Sequence, residues 1–407
     1  MTIAYLAELR ANWRPLLAAT IGLGTGYGAL ALYTPSVIAP HLLREFGWSK
    51  AAFAALGSIS LVVAFIIPFA GRIADVLGVR FTALIGMIAL PISFMAYSLM
   101  NGPMWQYVAV YFFQSVFCIT TTSTVYSRIP VQYTERSRGL ALAVVACGPA
   151  LTGAILGPVL NTFIEANGWR ATYHLLAAFS VAAGVLTMLL LPSGKAPAGA
   201  PVRAKRRARD DYPAIFRSRA FWIIIASMLL VNLPQVLALS QMKIVLEENG
   251  VSASGISVML SAFAFGVLGG RFIAGLALDR FSAPMVGLFC LGLPGLGLLL
   301  IASSFDSPAV LTFAVICLGF AFGGEGDIVA YIISRTFPVA VFSSVMGLVT
   351  MAMSTSTSVG ALLLSLTLRE TGGFNVFLVG AALAVFTGSL LLLLLRGDKP
   401  AEGFAAG

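Results

Sequence analysis

Long apolar runs alternate with short segments of charge, glycine and proline along almost the whole sequence. A helix needs roughly 20 apolar residues to cross a bilayer, so each long run predicts one membrane-spanning helix. Twelve runs are long enough, and we call them spans 1 to 12 in chain order. They cover residues 14–41, 51–70, 81–100, 105–127, 139–164, 171–192, 220–246, 252–278, 284–304, 308–334, 340–366 and 373–395. Strands of a membrane barrel would alternate apolar and polar positions over about ten residues. The pattern therefore predicts an all-α polytopic membrane protein with twelve transmembrane helices.

The composition indicates where the protein is located, and the distribution of charge indicates its topology in the membrane. Of 407 residues, 59% are hydrophobic and 10% are charged, which a soluble domain of this size would not tolerate on its surface. The lipid bilayer is therefore an expected partner. Lysine and arginine concentrate at the termini and in the loops that follow even-numbered spans, and such an excess marks the cytoplasmic face. We expect a multi-pass protein of the cell inner (plasma) membrane with both termini cytoplasmic. The net charge of +9 is then a sign of topology, and no nucleic-acid partner is expected.

The longest polar segment divides the spans into two sets of six. We expect an N-terminal six-helix bundle at residues 1–192, a flexible cytoplasmic linker at 193–219 and a C-terminal six-helix bundle at 220–407. The halves resemble each other, because residues 46–80 and 249–283 share an opening Gly-x-Ser and a closing Gly-x-x-x-Asp. Two parallel six-helix repeats are typical of alternating-access carriers, whose site lies near the midplane between the repeats.

The string "GRIADVLGVR" at residues 71–80 resembles the loop signature of the major facilitator superfamily between helices 2 and 3. The string "GLALDR" at residues 275–280 is a weaker second copy. The resemblance implies the major facilitator fold and transport by alternating access. The acids and arginines of the signature can hold the cytoplasmic ends of helices together in one state and release them in the other. The expected gate residues are Gly71, Arg72, Asp75, Arg80, Asp279 and Arg280.

Two further strings resemble the monocarboxylate transporter branch of that superfamily and the related bacterial oxalate:formate antiporters. "YTERSRGLALAVVACG" at residues 133–148 is similar to the fifth-helix signature of the branch, although Ser137 separates the two arginines and Ala143 replaces a usual glycine. "VFSSVMGLVT" at residues 341–350 is similar to the entry into helix 11. The resemblance implies a secondary active transporter for a small monocarboxylate such as lactate or pyruvate, with a proton as the coupled ion.

Arg271 is the basic residue that topology does not explain, because it lies in the core of span 8. An arginine there costs on the order of 2.5 to 3.5 kcal/mol on the insertion scale, so a compensating partner is expected. Its planar fork of donors suits a carboxylate, and the branch's substrate-binding arginine falls at this position. No other span core holds Lys or Arg, which favours a substrate with one carboxylate. A simple pairing of Arg271 with a neighbouring helix remains the alternative.

Other polar residues inside the spans are candidates for the same site. Asp327 and Glu325 of span 10 are expected to take up the proton or to pair with Arg271, or else to be satisfied acids in helix packing. The further candidates for substrate binding each have a packing role as their alternative. They are Tyr331, Asn232, Tyr27 and Tyr126.

Other classes of function have little support in the sequence. The four cysteines and two histidines form no ligand pattern, so no metal, cofactor or catalytic residue is expected, and the chain is not expected to be an enzyme. A functional monomer is expected. Exchange of organic anions, as in oxalate/formate carriers, and efflux of another amphiphilic carboxylate remain alternatives to proton symport.

Overall fold

The structure, a computed structural model, describes residues 3–49, 53, 63–192, 208–303, 305 and 307–395. All regular secondary structure in these residues is helical. The chain divides into two compact units. The first contains Met1–Ser137, Val144–Ala208 and Val339–Gly347, and the second contains Arg138–Ala143, Arg209–Pro338 and Leu348–Gly407. The segments at the starts of spans 5 and 11 belong to a different unit from the residues that follow them.

The first unit is built from spans 1 to 6. Its helices are Ile3–Ala11 before span 1, Trp13–Gly24 and Leu32–Phe46 in span 1, Ile67–Leu77 in span 2, Val79–Ser98 in span 3, Met104–Cys118, Ser123–Tyr126 and Arg128–Tyr133 in span 4, and Gly148–Leu190 in spans 5 and 6. Span 2 before residue 63 lies outside the described residues apart from Phe53. A bend at Gly168 separates spans 5 and 6, and its φ of 78° is a left-handed conformation that glycine adopts readily.

Spans 1 and 4 are both interrupted where they touch. Span 1 passes through a π-turn at Tyr27–Ala31, and span 4 leaves its first helix at Cys118. A Cβ on Gly26 would lie 2.8 Å from Thr121 Oγ1, so glycine allows the close approach. The backbone N–H of Tyr27 donates to Thr121 Oγ1 at 2.9 Å. The threonine therefore satisfies a backbone donor at the interruption.

The second unit is built from spans 7 to 12. Its helices are Ala208–Arg217 before span 7, Arg219–Val231 and Met242–Glu248 in span 7, Ala253–Leu278 in span 8, Ala283–Ala302 in span 9, Pro308–Thr336 in span 10, Phe342–Thr371 in span 11 and Asn375–Leu391 in span 12. A π-turn at Leu237–Gln241 divides span 7. The helix of span 11 begins in the first unit and continues in the second, and the helix Arg138–Ala146 of span 5 does the reverse.

The expected linker is helical in its last part. Residues 193–207 lie outside the described residues, whereas Ala208–Arg217 is a helix that meets Arg219–Val231 at 72°. Asp210 in its first turn and Arg217 in its last turn complement the helix dipole. The last part of the expected linker is therefore helical, because its charges are arranged to favour a helix.

Eight helices among the described residues are long and apolar enough to cross a membrane, or nine if the bent pair Arg209–Arg217 and Arg219–Val231 counts as one span. One of the eight, Arg138–Leu190, contains both span 5 and span 6. Spans 1 and 7 are not among these long helices, because a π-turn divides each of them into shorter helices. The prediction of an all-helical membrane fold is confirmed, while the continuous helices predicted for spans 1 and 7 are not found.

Candidate functional site

Spans 8 and 10 of the second unit pack with their backbones in contact. Any side chain on Gly270 would overlap the carbonyl of Phe320, and a Cβ on Gly324 would lie 3.3 Å from the Gly270 carbonyl oxygen. Small residues at a helix interface allow this approach inside a membrane. Because Gly270 precedes Arg271 and Gly324 precedes Glu325, the contact brings the arginine and the acid to the same level of the two helices.

Arg271 is half-buried on the helix Ala253–Leu278, about 10 Å along the axis from its C-terminal end. Its charge is close enough to Glu325 and Asp327 to interact favourably with both carboxyl groups. Within the described part of the chain, however, its guanidinium makes no hydrogen bond and no direct ion pair. The donor fork therefore remains available for an added carboxylate.

The two acids of span 10 have different surroundings. Glu325 is half-buried, and its Oε1 accepts a hydrogen bond of 2.6 Å from Nε2 of Gln235 in span 7. Asp327 is only 5% exposed, and its Oδ2 accepts no hydrogen bond from any described residue. A buried carboxylate without a donor is costly, so Asp327 requires either a proton or the nearby charge of Arg271.

Span 7 contributes one residue that the sequence did not single out. Gln235 bonds directly to Glu325, whereas the predicted candidate Asn232 donates its amide to the carbonyl of Met228 at 3.0 Å. Asn232 is 2% exposed and so is occupied within its own helix. The feature of the sequence that could have indicated Gln235 is its position directly after Pro234, because proline lacks the N–H that continues the hydrogen bonds of a helix.

Tyr331 of span 10 is buried, and its hydroxyl accepts a hydrogen bond of 2.8 Å from Arg335, one turn further along the same helix. The Arg335 guanidinium also lies 5.1 Å from the centre of the Tyr331 ring. Tyr331 therefore has a partner near the end of its helix, and the structure records no contact between it and Arg271.

The two tyrosine candidates of the first unit differ in their bonding. The hydroxyl of Tyr27, at the π-turn of span 1, shares a hydrogen bond of 2.9 Å with Ser115 of span 4. Tyr126 is fully buried against Gly22, and its hydroxyl finds no hydrogen-bond partner among the described residues. Of these two, Tyr126 is the one whose donor is still unused.

The first copy of the gate signature contacts the start of span 11, within the first unit. Asp75 accepts hydrogen bonds from the backbone N–H groups of Ser343 at 3.1 Å and Ser344 at 2.6 Å. It also forms a buried ion pair with Arg128 of span 4. A carboxylate at a helix N-terminus complements the free N–H groups and the helix dipole. Gly71 is required here because any Cβ would overlap the carbonyl of Ser343.

The second copy makes the matching contact within the second unit. Asp279 accepts hydrogen bonds from the backbone N–H groups of Gly139 at 2.6 Å and Leu140 at 3.0 Å, at the start of span 5. Each signature acid therefore caps the first turn of another span. The sequence predicted that Asp75 and Asp279 are gate residues, but it did not predict the groups they bind, such as Arg128 beside Asp75. The only hint was the Ser-Arg pair that recurs at 127–128 and 334–335.

The remaining signature arginines lie in different surroundings. Arg80 donates to the carbonyl of Leu191 at the end of span 6, Arg72 is half-buried, and Arg280 is exposed. Among the described residues, none of the three forms a hydrogen bond or an ion pair with Arg271.

Ser137, the unusual residue of the fifth-helix signature, has a partner before span 1. Glu8 accepts hydrogen bonds from the Ser137 hydroxyl at 2.6 Å and from the backbone N–H groups of Glu135 at 2.9 Å and Ser137 at 2.8 Å. Partial burial acts to raise the pKa of Glu8, but these hydrogen bonds outweigh it and hold the pKa below its usual value. The serine thus ties the N-terminal helix to this loop.

No group of three or more His, Cys, Asp or Glu residues within the described ranges is arranged to hold a metal ion. The four cysteines are buried and separate. The polar groups gathered around Arg271 are the carboxyl groups of Glu325 and Asp327, together with the Gln235 amide that bonds to Glu325.

Comparison with known proteins gives the family and the fold. A sequence model of the Major Facilitator Superfamily matches residues 16–242 and 233–407. Human monocarboxylate transporter 11 is 25% identical over 285 residues, which are 67% of this chain but only 59% of that protein. The structure of the E. coli fucose:proton symporter FucP covers 95% of this chain and 98% of its own, with a TM-score of 0.72 at 14% identity. The human organic anion transporter MFSD10 (TETRAN) covers 94% and 98%, with a TM-score of 0.68 at 17% identity. At these identities the structural matches show a common fold.

Proposed function

This chain belongs to the major facilitator superfamily, and on that premise we propose that it carries a small monocarboxylate such as lactate or pyruvate together with a proton. The family makes it a multi-pass secondary transporter and not an enzyme. The similarity to human monocarboxylate transporter 11 supports the class of substrate, although it spans about three fifths of that protein.

The observation that carries the proposal is the open guanidinium of Arg271. It lies inside a membrane span, is half-buried and has no direct partner among the described residues. A guanidinium binds a carboxylate through two parallel hydrogen bonds, which fixes the orientation of the anion. Span 11 offers hydroxyl groups and no cation in its core, so a second carboxylate would lack a counterion. The proposed substrate therefore has one carboxylate and a small apolar end.

Proton coupling is proposed from the acids beside Arg271. Both carboxyl groups are near its charge, so adding a proton to one of them strengthens the attraction of the site for an anion. The fold shared with a fucose:proton symporter supports the same kind of coupling. We include Tyr126 as a further candidate for contact with the substrate, and we leave Tyr27, Asn232 and Tyr331 as secondary ones because their side chains are occupied.

The proposed cycle is alternating access of two six-helix bundles, residues 1–192 and 220–407, with both termini in the cytoplasm of a cell with an inner membrane. Asp75 and Asp279 are the proposed gate acids. Each caps the start of another span, and such a cap can be made in one state of the carrier and broken in the other. A functional monomer remains part of the proposal.

Uptake of labelled lactate into proteoliposomes tests the proposal. With the purified chain, an inward proton gradient is expected to drive uptake above equilibrium. The variant Arg271→Ala loses two charge-assisted hydrogen bonds worth about 3 kcal/mol in total, so the KM for lactate is expected to rise about 100-fold. The control Arg369→Ala removes an exposed arginine at the end of span 11 and is expected to leave the KM unchanged.

Two results would contradict the proposal. Uptake that ignores the proton gradient but responds to anion inside the vesicle would show organic anion exchange in place of symport. A wild-type KM in Arg271→Ala would remove Arg271 from the binding site.

A further inference from the structure

The interruption of span 7 lies directly beside Glu325. The helix Arg219–Val231 ends just before Pro234, and a π-turn begins at Leu237. Proline has no N–H, so the carbonyl one turn earlier loses its donor. Gln235 follows at the point where the helix is already open, and its side chain donates to Oε1 of Glu325 at 2.6 Å.

A small cavity adjoins this hydrogen bond. Its volume is about 30 Å³, and its wall includes Gln235, Glu325, Pro234, Phe322 and Pro294 of span 9. A cavity needs roughly 10 to 15 Å³ of such volume to hold one water molecule, and the water needs polar partners. The carboxyl of Glu325 and the amide of Gln235, both in the cavity wall, are such partners. The cavity is therefore suited to one or two waters.

We propose that Glu325 is the group that binds the transported proton and that Gln235 is its positioning residue; this rests on the proposed proton coupling. A side-chain amide can serve both states of a carboxyl group. It donates its N–H to the carboxylate, and after a flip its oxygen accepts the O–H of the carboxylic acid. Oδ2 of Asp327 has no partner of this kind among the described residues.

The proton balance is simple. A proton that enters from bulk water passes through the water in the cavity to an oxygen of Glu325, where one O–H bond forms as one on the donor water breaks. Glu325 becomes neutral, and the positive charge of Arg271 is left less compensated for a substrate carboxylate. Arg271 from span 8 is the charged group that acts on Glu325, and Asp327 lies two residues further along the same helix. Among the described residues, the cavity wall from spans 7 and 9 contributes Gln235 and Pro294 and no charge.

The pH dependence of lactate uptake tests the inference. Symport requires protonated Glu325, so the rate falls as pH rises. Gln235→Leu removes an N–H donor that favours the carboxylate, so the pH of half-maximal uptake is expected to rise by about one unit, with the KM at low pH unchanged. Gln241→Leu is the matched control, because that amide lies in the same span and bonds to Ser240 at 3.3 Å. Its pH profile is expected to match the wild type.

Glu325→Gln separates this inference from the proposed function. The variant is expected to lose uphill uptake and its pH dependence while still exchanging lactate across the membrane. Uphill uptake by Glu325→Gln with a normal pH profile, or an unshifted profile in Gln235→Leu, would overturn the inference and leave symport in place. If Glu325→Gln shows no activity at all, Gln235→Leu alone decides. A wild-type protein that shows no proton-driven uptake would instead refute the proposed function itself.

Discussion

Asp75 offers the sharpest test of the contacts within the first unit. Its carboxylate pairs with Arg128 and accepts the backbone N–H groups of Ser343 and Ser344. Both side chains of the ion pair are 1% exposed. The change Asp75→Asn keeps the shape of the side chain but removes its charge, so Arg128 remains buried without its carboxylate.

Breaking one partner of a buried ion pair costs about 3 to 5 kcal/mol, because the remaining charge is uncompensated. For a unit of roughly 150 to 250 residues, each kcal/mol lowers the Tm by about 2 to 4 °C. Asp75→Asn is therefore expected to lower the Tm by about 10 °C. Thermal unfolding in detergent, followed by circular dichroism, measures the change. The control Asp210→Asn removes an exposed acid and is expected to change the Tm by little.

A second variant makes the reasoning refutable. In Asp75→Asn with Arg128→Met, both charges are absent, so the double variant is expected to lose less than the sum of the two single changes. A Tm for Asp75→Asn that equals that of Asp210→Asn would show that the pair does not stabilise the unit. Strictly additive losses in the double variant would show that the two side chains act independently.

Two further predictions concern other contacts. The lowered pKa of Glu8 means that its hydrogen bonds stabilise the folded chain above its unfolded pKa of about 4.5 and lose that effect as pH falls through the lower folded value. Amide exchange at residues 135–137 is expected to accelerate in that acidic range, and Glu8→Gln should already exchange fast at neutral pH; equal protection in both proteins would contradict this. Gly270→Ala should separate spans 8 and 10 and reduce both folded yield on size-exclusion chromatography and lactate uptake, whereas the neighbouring Gly269→Ala points into open space and should not. Equal behaviour of the two glycine variants would rule out the close contact.

The hydrophobic pattern of the sequence was sufficient to predict the positions of most helices. It placed span 3 at 81–100 and span 12 at 373–395, close to the observed Val79–Ser98 and Asn375–Leu391 with the following turn to Leu395. A run of apolar residues long enough for a bilayer has few other stable structures in lipid, so pattern and fold agree. A π-turn changes the backbone bonding over only about five residues and leaves the apolar run intact. The interruptions of spans 1 and 7 were therefore not predictable from the pattern.

The partners of the candidate residues were harder to predict than the residues themselves. Arg271 and Glu325 were recognisable because a charge inside an apolar run is rare. Gln235 is uncharged and lies 90 positions from Glu325, and Arg128 lies 53 positions from Asp75. Such pairs depend on how the spans pack, which a single sequence does not encode in any local pattern.

The contact of Gly270 with Phe320 has a mechanical consequence. Where the backbones of two helices are in direct contact, no layer of side chains lies between them to rearrange. Spans 8 and 10 are therefore expected to move as one rigid body. The separation of Arg271 and Glu325 is then nearly constant while other parts of the carrier move. Under the proposed coupling, a proton that binds Glu325 would change the electric field at Arg271 directly, without a movement of one helix against the other.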